Sequence, residues 1–400
     1  MRSTRQRAFE RGVTLIELMV GLVIGLIVTL AIFAVLNASE GRSRTATSLN
    51  DSAQAGAYSA YVLDRYIRSA GTGFSEGWTR IGSCRLNATL PSGAALPRVN
   101  AFPAPFAGVP QTLRLAPLMI FEGIGANGGD VVLVMGGSSG FAEVPVPVNP
   151  GGTSAAQLLL RNTIGFNSAD LVMVSGAGEC LLSQVAAGKA PCAGNPAAAP
   201  NTTCGSQLQL GGAYYDDEFP NASLNALAGV PDVQVFNLGS PLTNPPTFAL
   251  FGVGDNSVLF RMDLLETQGV PPLPMAEGVR RLHAVYGIDT NDDGRLDAWQ
   301  RPVAGSGWES AALNNGSQVS ADRLRQIVAV RLAVVTRSDL VERELEPGVP
   351  VSPANLELFS DLPAGNQIVI DLTAAGENRN QRHRVIELTV PVRNHLLRTL

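Results

Sequence analysis

Charge is scarce in this 400-residue chain: 16% of its side chains are Asp, Glu, Lys or Arg, against 45% hydrophobic. That ratio excludes a disordered or polyelectrolyte-like protein. Lysine is nearly missing. Lys189 is the one lysine among 29 basic residues, and the arginines gather into no basic stripe of the kind nucleic-acid binding needs. Three histidines (His283, His383, His395) and four cysteines without a CxxC pair leave a zinc centre without a ligand pattern. No internal repeat is present. Glycine (42) and proline (26) are the abundant residues, without a three-residue period, so a collagen-like chain is excluded and a turn-rich β protein is favoured. The length exceeds what one small core needs, and the formal charge is −5 with a pI near 5.4.

The amino terminus departs from this average. Residues 1–12 carry four arginines against one glutamate, and residues 13–36 (VTLIELMVGLVIGLIVTLAIFAVL) hold one charge. As a helix the apolar run spans about 36 Å, enough for a hydrocarbon core of roughly 30 Å. The flanking Arg2, Arg5, Arg7 and Arg11 hold that end in the cytoplasm and send the rest outward. A secretory signal would place its cleavage site after a shorter apolar region, whereas here Gly12 precedes it, so cleavage there keeps the helix. Glu17 is the unusual residue. A carboxylate inside a membrane segment costs on the order of 2.5–3.5 kcal/mol and marks a functional position with a partner. A natural partner is the free α-amine of a neighbouring chain cut between Gly12 and Val13.

RGVTLIELMVGLVIG, with its basic leader ending in Gly12 and Glu17 fifth in the helix, resembles the type IV prepilin signature. The resemblance implies cleavage after Gly12 by a prepilin peptidase, methylation of the Val13 amine, and a helix that anchors in the inner membrane before packing into a filament. The helix-kinking proline of many major pilins has no counterpart in residues 31–36.

Beyond the apolar run, Leu49, Ala53, Ala57, Ala60, Leu63 and Ile67 recur at helical spacing, predicting an amphipathic half that continues to about Ala70 and needs a sheet to cover it. Residues 72–125, rich in Gly, Pro and Ala, read as long ordered loops, and residues 186–203 as a surface loop. Strands are predicted at 130–136, 171–176, 233–239, 247–265 (with a hairpin at Gly254–Asn256), 278–289, 323–337, 366–372 and 383–393. Their alternating or continuously apolar patterns favour an antiparallel sheet. The expected class is therefore α+β: a leader at 1–12, a membrane or filament-core half-helix at 13–36, an amphipathic half at 37–70, and an extracytoplasmic β-rich head at 71–400.

Cys84, Cys180, Cys192 and Cys204 fall on the exported side, where disulfides are the default, and three pairings are open. Asp289, Asn291, Asp293, Arg295 (through its carbonyl) and Asp297, with Gly294 at the sixth position, open like a calcium loop, but the twelfth position is Gln300 instead of Glu. The competing reading is a polar turn held by side-chain to backbone hydrogen bonds. No cofactor is required. Two enzyme-like patterns lack their context: the GxSxG at 73–77 follows a helix instead of a strand, and the GxGxxG at 123–128 precedes a strand. No catalytic residue is assigned, and no enzyme is expected.

Segments YVLDRYIRSAG, SVLFRMDLLE, GVRRLHAVYGIDTNDDGRLDAW and ELTVPVRN also resemble the PilW family of minor pilins. That resemblance implies a minor pilin that joins other minor pilins and the major pilin at the inner-membrane assembly platform, primes assembly and stays at the tip, with an adhesin as a further partner. The head is larger than filament tiling asks of a major pilin. Two alternatives are a J-type minor pseudopilin of type II secretion, with the same amino terminus but a smaller head, and a membrane-anchored calcium-dependent binding module.

Overall fold

The computed structural model describes residues 12–93, 95–139, 144–187, 206–219, 222–265, 271–344, 346–374 and 376–392. The chain divides into two compact units, residues 1–51 and 52–400. A helix, Leu15–Arg68, begins in the first. Every described side chain from Val13 to Leu36 is exposed, so the apolar surface of this segment has no partner within its own unit. That is the pattern of a segment whose solvent is lipid or another helix, and it is the one helix among the described residues long and apolar enough to cross a membrane.

In the second unit the helix has a buried stripe, Val62, Leu63 and Ile67, in the main core. Ser52 Oγ donates to Thr336 Oγ1 at 2.8 Å. Gly56 sits directly under Ile386, where any Cβ would collide with the isoleucine side chain.

Among the described residues, three large sheets and two two-stranded ones build the rest of this unit. The eight-stranded sheet has the order 95–96, 85–89, 179–184, 171–176, 234–239, 146–153, 157–160, 207–209. The five-stranded sheet runs 273–277, 258–263, 247–253, 131–136, 118–121, and the four-stranded sheet runs 298–300, 279–288, 327–341, 381–391. A two-stranded layer, Asn355–Leu358 with Ile368–Asp371, covers the outer face of the four-stranded sheet through a core of Val285, Val335, Phe359 and Leu372.

Among the described residues the pairings are antiparallel with one exception: Arg85–Thr89 lies parallel to Glu179–Gln184. The α+β class, the long helix and seven of the eight strand segments stand as expected. The hairpin turns at Gly254–Ser257, where Ser257 takes a φ of +59°.

The structure corrects two readings. Residues 72–125 are not only loops: they hold a helical turn at Trp78–Ile81 and strands at Arg85–Thr89 and Leu118–Phe121. The first strand was hidden by its buried Asn87, whose Nδ2 donates to Glu179, and the second by being four apolar residues buried on both faces, too short for a period. Residues 323–326 are helical, not strand. Ser317 caps the helix Gln318–Gln326 by accepting from the Ser320 amide, and the β-branched run takes over only at Ile327. The 186–203 loop falls almost wholly outside the described residues.

Candidate functional site

Met1–Arg11 lie outside the described residues. Gly12, Val13 and Thr14 precede the helix and are exposed. Thr14 and Glu17 form a capping box. Glu17 Oε2 accepts from the Thr14 amide and hydroxyl, both at 3.0 Å, and the Glu17 amide donates back to Thr14 Oγ1 at 3.3 Å. The helix therefore starts at Leu15 for a local reason, and the carboxylate sits at the positive end of the helix dipole. Among the described residues Oε1 accepts no hydrogen bond. It stays available to a cation presented from outside the chain.

Cys84 and Cys180 are bonded, with Cα atoms 5.5 Å apart. The bond stands at the start of the one parallel pair, where Arg85 grips Glu179 through two hydrogen bonds of 2.9 and 2.6 Å. Cys192 and Cys204 lie outside the described residues.

The 289–297 segment closes on itself. The buried Asp289 turns Oδ1 onto the amides of Asn291 and Asp293 and Oδ2 onto that of Gly294 at 2.7 Å. Asn291 Oδ1 accepts from the Asp293 amide, and Asp293 Oδ1 from the Arg295 amide. Asp297 is taken by the Thr290 hydroxyl and amide, which hold its carboxyl below the usual range. These are the hydrogen bonds of the polar-turn reading. Among the described residues no group of three or more His, Cys, Asp or Glu is arranged to hold a metal ion.

Ser75 of the GxSxG pattern is buried in a single 3₁₀ turn after the helix, and the GxGxxG pattern forms the turn into Val131–Gly136. The pattern reading missed two polar anchors. Buried Asp130 accepts from the Gly123 and Ala284 amides and faces His283 Nδ1 at 3.5 Å. Tyr286 Oη accepts from the Ile120 amide at 2.6 Å, and burial pushes its hydroxyl well above the ordinary tyrosine value. Both tie the five-stranded sheet to the four-stranded one. Their one sequence signal was a polar residue beside an apolar run.

Two comparisons bear on class. Residues 7–35 match the prokaryotic N-terminal methylation motif, and residues 251–394 match the family described as type IV pilus-assembly protein W. Over these two ranges the chain is similar to type IV pilus-related pilins, and its long apolar amino-terminal helix fits a membrane-anchored pilin. The resemblance to the PilW family is borne out over residues 251–394, which hold the four-stranded sheet and the 258–263 and 273–277 strands of the five-stranded one; the YVLDRYIRSAG segment lies outside the matched range. No curated protein and no solved structure matches the chain.

Proposed function

We propose that the chain is a minor pilin: cut after Gly12, methylated at the Val13 amine, held in the inner membrane with its head in the periplasm, and assembled with other minor pilins into the complex that primes a pilus and remains at its tip. The observation that carries this is the pairing of an exposed Gly12–Val13 bond with Glu17 at the head of an unburied apolar helix. Lipid covers such a helix at one stage and neighbouring helices at another, and Glu17 Oε1 is the acceptor for a neighbour's terminal ammonium. The work is positional: apolar helices pack, one charge pair sets their axial register, and the head supplies contacts to other subunits. No bond-making step is assigned to the head.

The test is made in a piliated host lacking the chromosomal copy. Wild-type chain restores pili and its mature form begins at methylated Val13. Glu17→Ala is processed but lowers pilus number about tenfold or more, as expected if the membrane charge pair is worth at least ~1.4 kcal/mol. Amino-terminal mass analysis and pilus counts read the two arms. Retention of residues 1–12, or full piliation with Glu17→Ala, overturns the reading.

A further inference from the structure

Around Glu377 the head holds a buried cluster in which guanidiniums outnumber carboxylates. Neighbouring residues of a regular strand point to opposite faces, yet Arg280 and Arg281 both reach Glu377. A bulge between Val279 and Arg281 makes this possible. Arg280 Nε lies 3.3 and 3.4 Å from the two Glu377 oxygens, and Arg281 Nη2 lies 2.7 Å from Oε1. Arg337, paired across the ladder with His383, brings a third guanidinium to 3.7 Å from Oε2. The side chains of Glu377, Arg280, Arg281 and Arg337 are 2, 9, 16 and 20% exposed. Three guanidiniums thus share one buried carboxylate. The other charged group acting on Arg337 is the exposed Asp339, and burial holds His383 below its ordinary pKa, toward the neutral form.

Arg337 is the exceptional member. Among the described residues, every other ion-paired arginine with less than half its side chain exposed donates a hydrogen bond to its carboxylate; Arg337 donates none. Burial and the adjacent Arg280 both disfavour its charge. Uncommitted N–H groups on a crowded, partly exposed guanidinium are what a phosphate recognises.

We propose that Arg337 and Arg281, each drawn to a different oxygen of Glu377, form a binding site for a phosphate oxyanion. The bulge aims Arg281, Glu377 spaces the guanidiniums, and the ligand supplies the negative charge the cluster lacks. The site is independent of filament assembly, so it stands or falls apart from the proposed function.

The full chain in detergent is titrated with inorganic phosphate at constant ionic strength, with chloride as the balancing salt, and its unfolding temperature is followed. A saturable rise is expected, with affinity weakened at least tenfold by Arg337→Gln and by Arg281→Gln. Arg384→Gln, an exposed arginine on the neighbouring strand, keeps the wild-type affinity; its melting curve, like those of the other variants in chloride, reports folding. A soluble short-chain phosphatidylglycerol, titrated in the same way, separates the sources: tighter binding than inorganic phosphate assigns the site to a lipid headgroup, and equal or weaker binding to the free anion. The proposal is overturned if phosphate acts no more strongly than chloride, or if Arg384→Gln weakens it as much as Arg337→Gln.

Discussion

The eight-stranded and four-stranded sheets hold their strands in different ways. The eight-stranded sheet relies on apolar burial: Phe166, Leu158, Val172, Val174, Leu181 and Val235 form a core of their own. Its polar contacts gather at two acids: Asp170, which accepts from Asn237 Nδ2 at 2.9 Å and the Asn167 amide at 2.8 Å, and Glu179, which takes Arg85 and the buried Asn87. The four-stranded sheet carries its arginines inward. Arg331 bridges Asp361 and Glu387, Arg382 grips Glu342, and three arginines meet Glu377. The difference lies in the strands themselves. Leu171–Gly176 buries four apolar residues and only the small Ser175, whereas Ile327–Val341 is interrupted by Arg331 and Arg337, which need acids from the adjacent strand and the loops around it. Burial needs no specific partner; a buried arginine does, and so it fixes which loop lies over which strand.

The comparison breaks most sharply at its two centres. Phe166→Ala costs about 3–5 kcal/mol through cavity formation, and Glu377→Gln costs about 3–5 kcal/mol by stranding buried guanidiniums; urea unfolding of the full chain measures both. Only the second depends on pH. Burial pushes the Glu377 carboxyl up, but hydrogen bonds from Arg281 and Arg280 and their charges bring it below the ordinary glutamate value of 4.5. Its contribution is therefore present above that value and lost as pH falls through the depressed one. Glu377→Gln and wild type should converge in acid, while the Phe166→Ala deficit stays constant.

A middle-sized effect comes from the disulfide that closes a 96-residue separation. Cys84→Ser with Cys180→Ser is expected to lose about 2–5 kcal/mol. The loss falls on the parallel pair, so the amides of residues 85–89 gain hydrogen-exchange rate before those of the four-stranded sheet.

The smallest effect sharpens the account of the 289–297 turn. Asp289→Ala removes the two oxygens that accept from three amides of one turn and should cost about 1–3 kcal/mol. Calorimetric titration of wild-type protein with calcium reads the same segment: a turn that serves only the backbone gives no binding heat.

Much of this was legible in order along the chain. The apolar helix, Gly12, Val13 and Glu17 stand in one local pattern, and continuous apolar runs such as Val131–Gly136 announce a buried strand. The Asp289 turn was legible as one of two readings because its donors and acceptors lie within nine residues. The strand Arg85–Thr89 was not, since its partner is 94 residues away and its polar Asn87 is satisfied only there. Glu377 was likewise unreadable as a hub, because its arginines come from positions 280, 281 and 337.

The sequence by itself carried the anchor reading: the length of the apolar run and the place of its lone carboxylate beside Gly12 and Val13 are set by hydropathy and by neighbours a few residues apart. Tertiary structure alone decided which of three disulfide pairings Cys84 enters, and which acids neutralise the inward arginines. Those choices are made by contacts between residues distant in the chain, whose energies exist only once the strands are side by side.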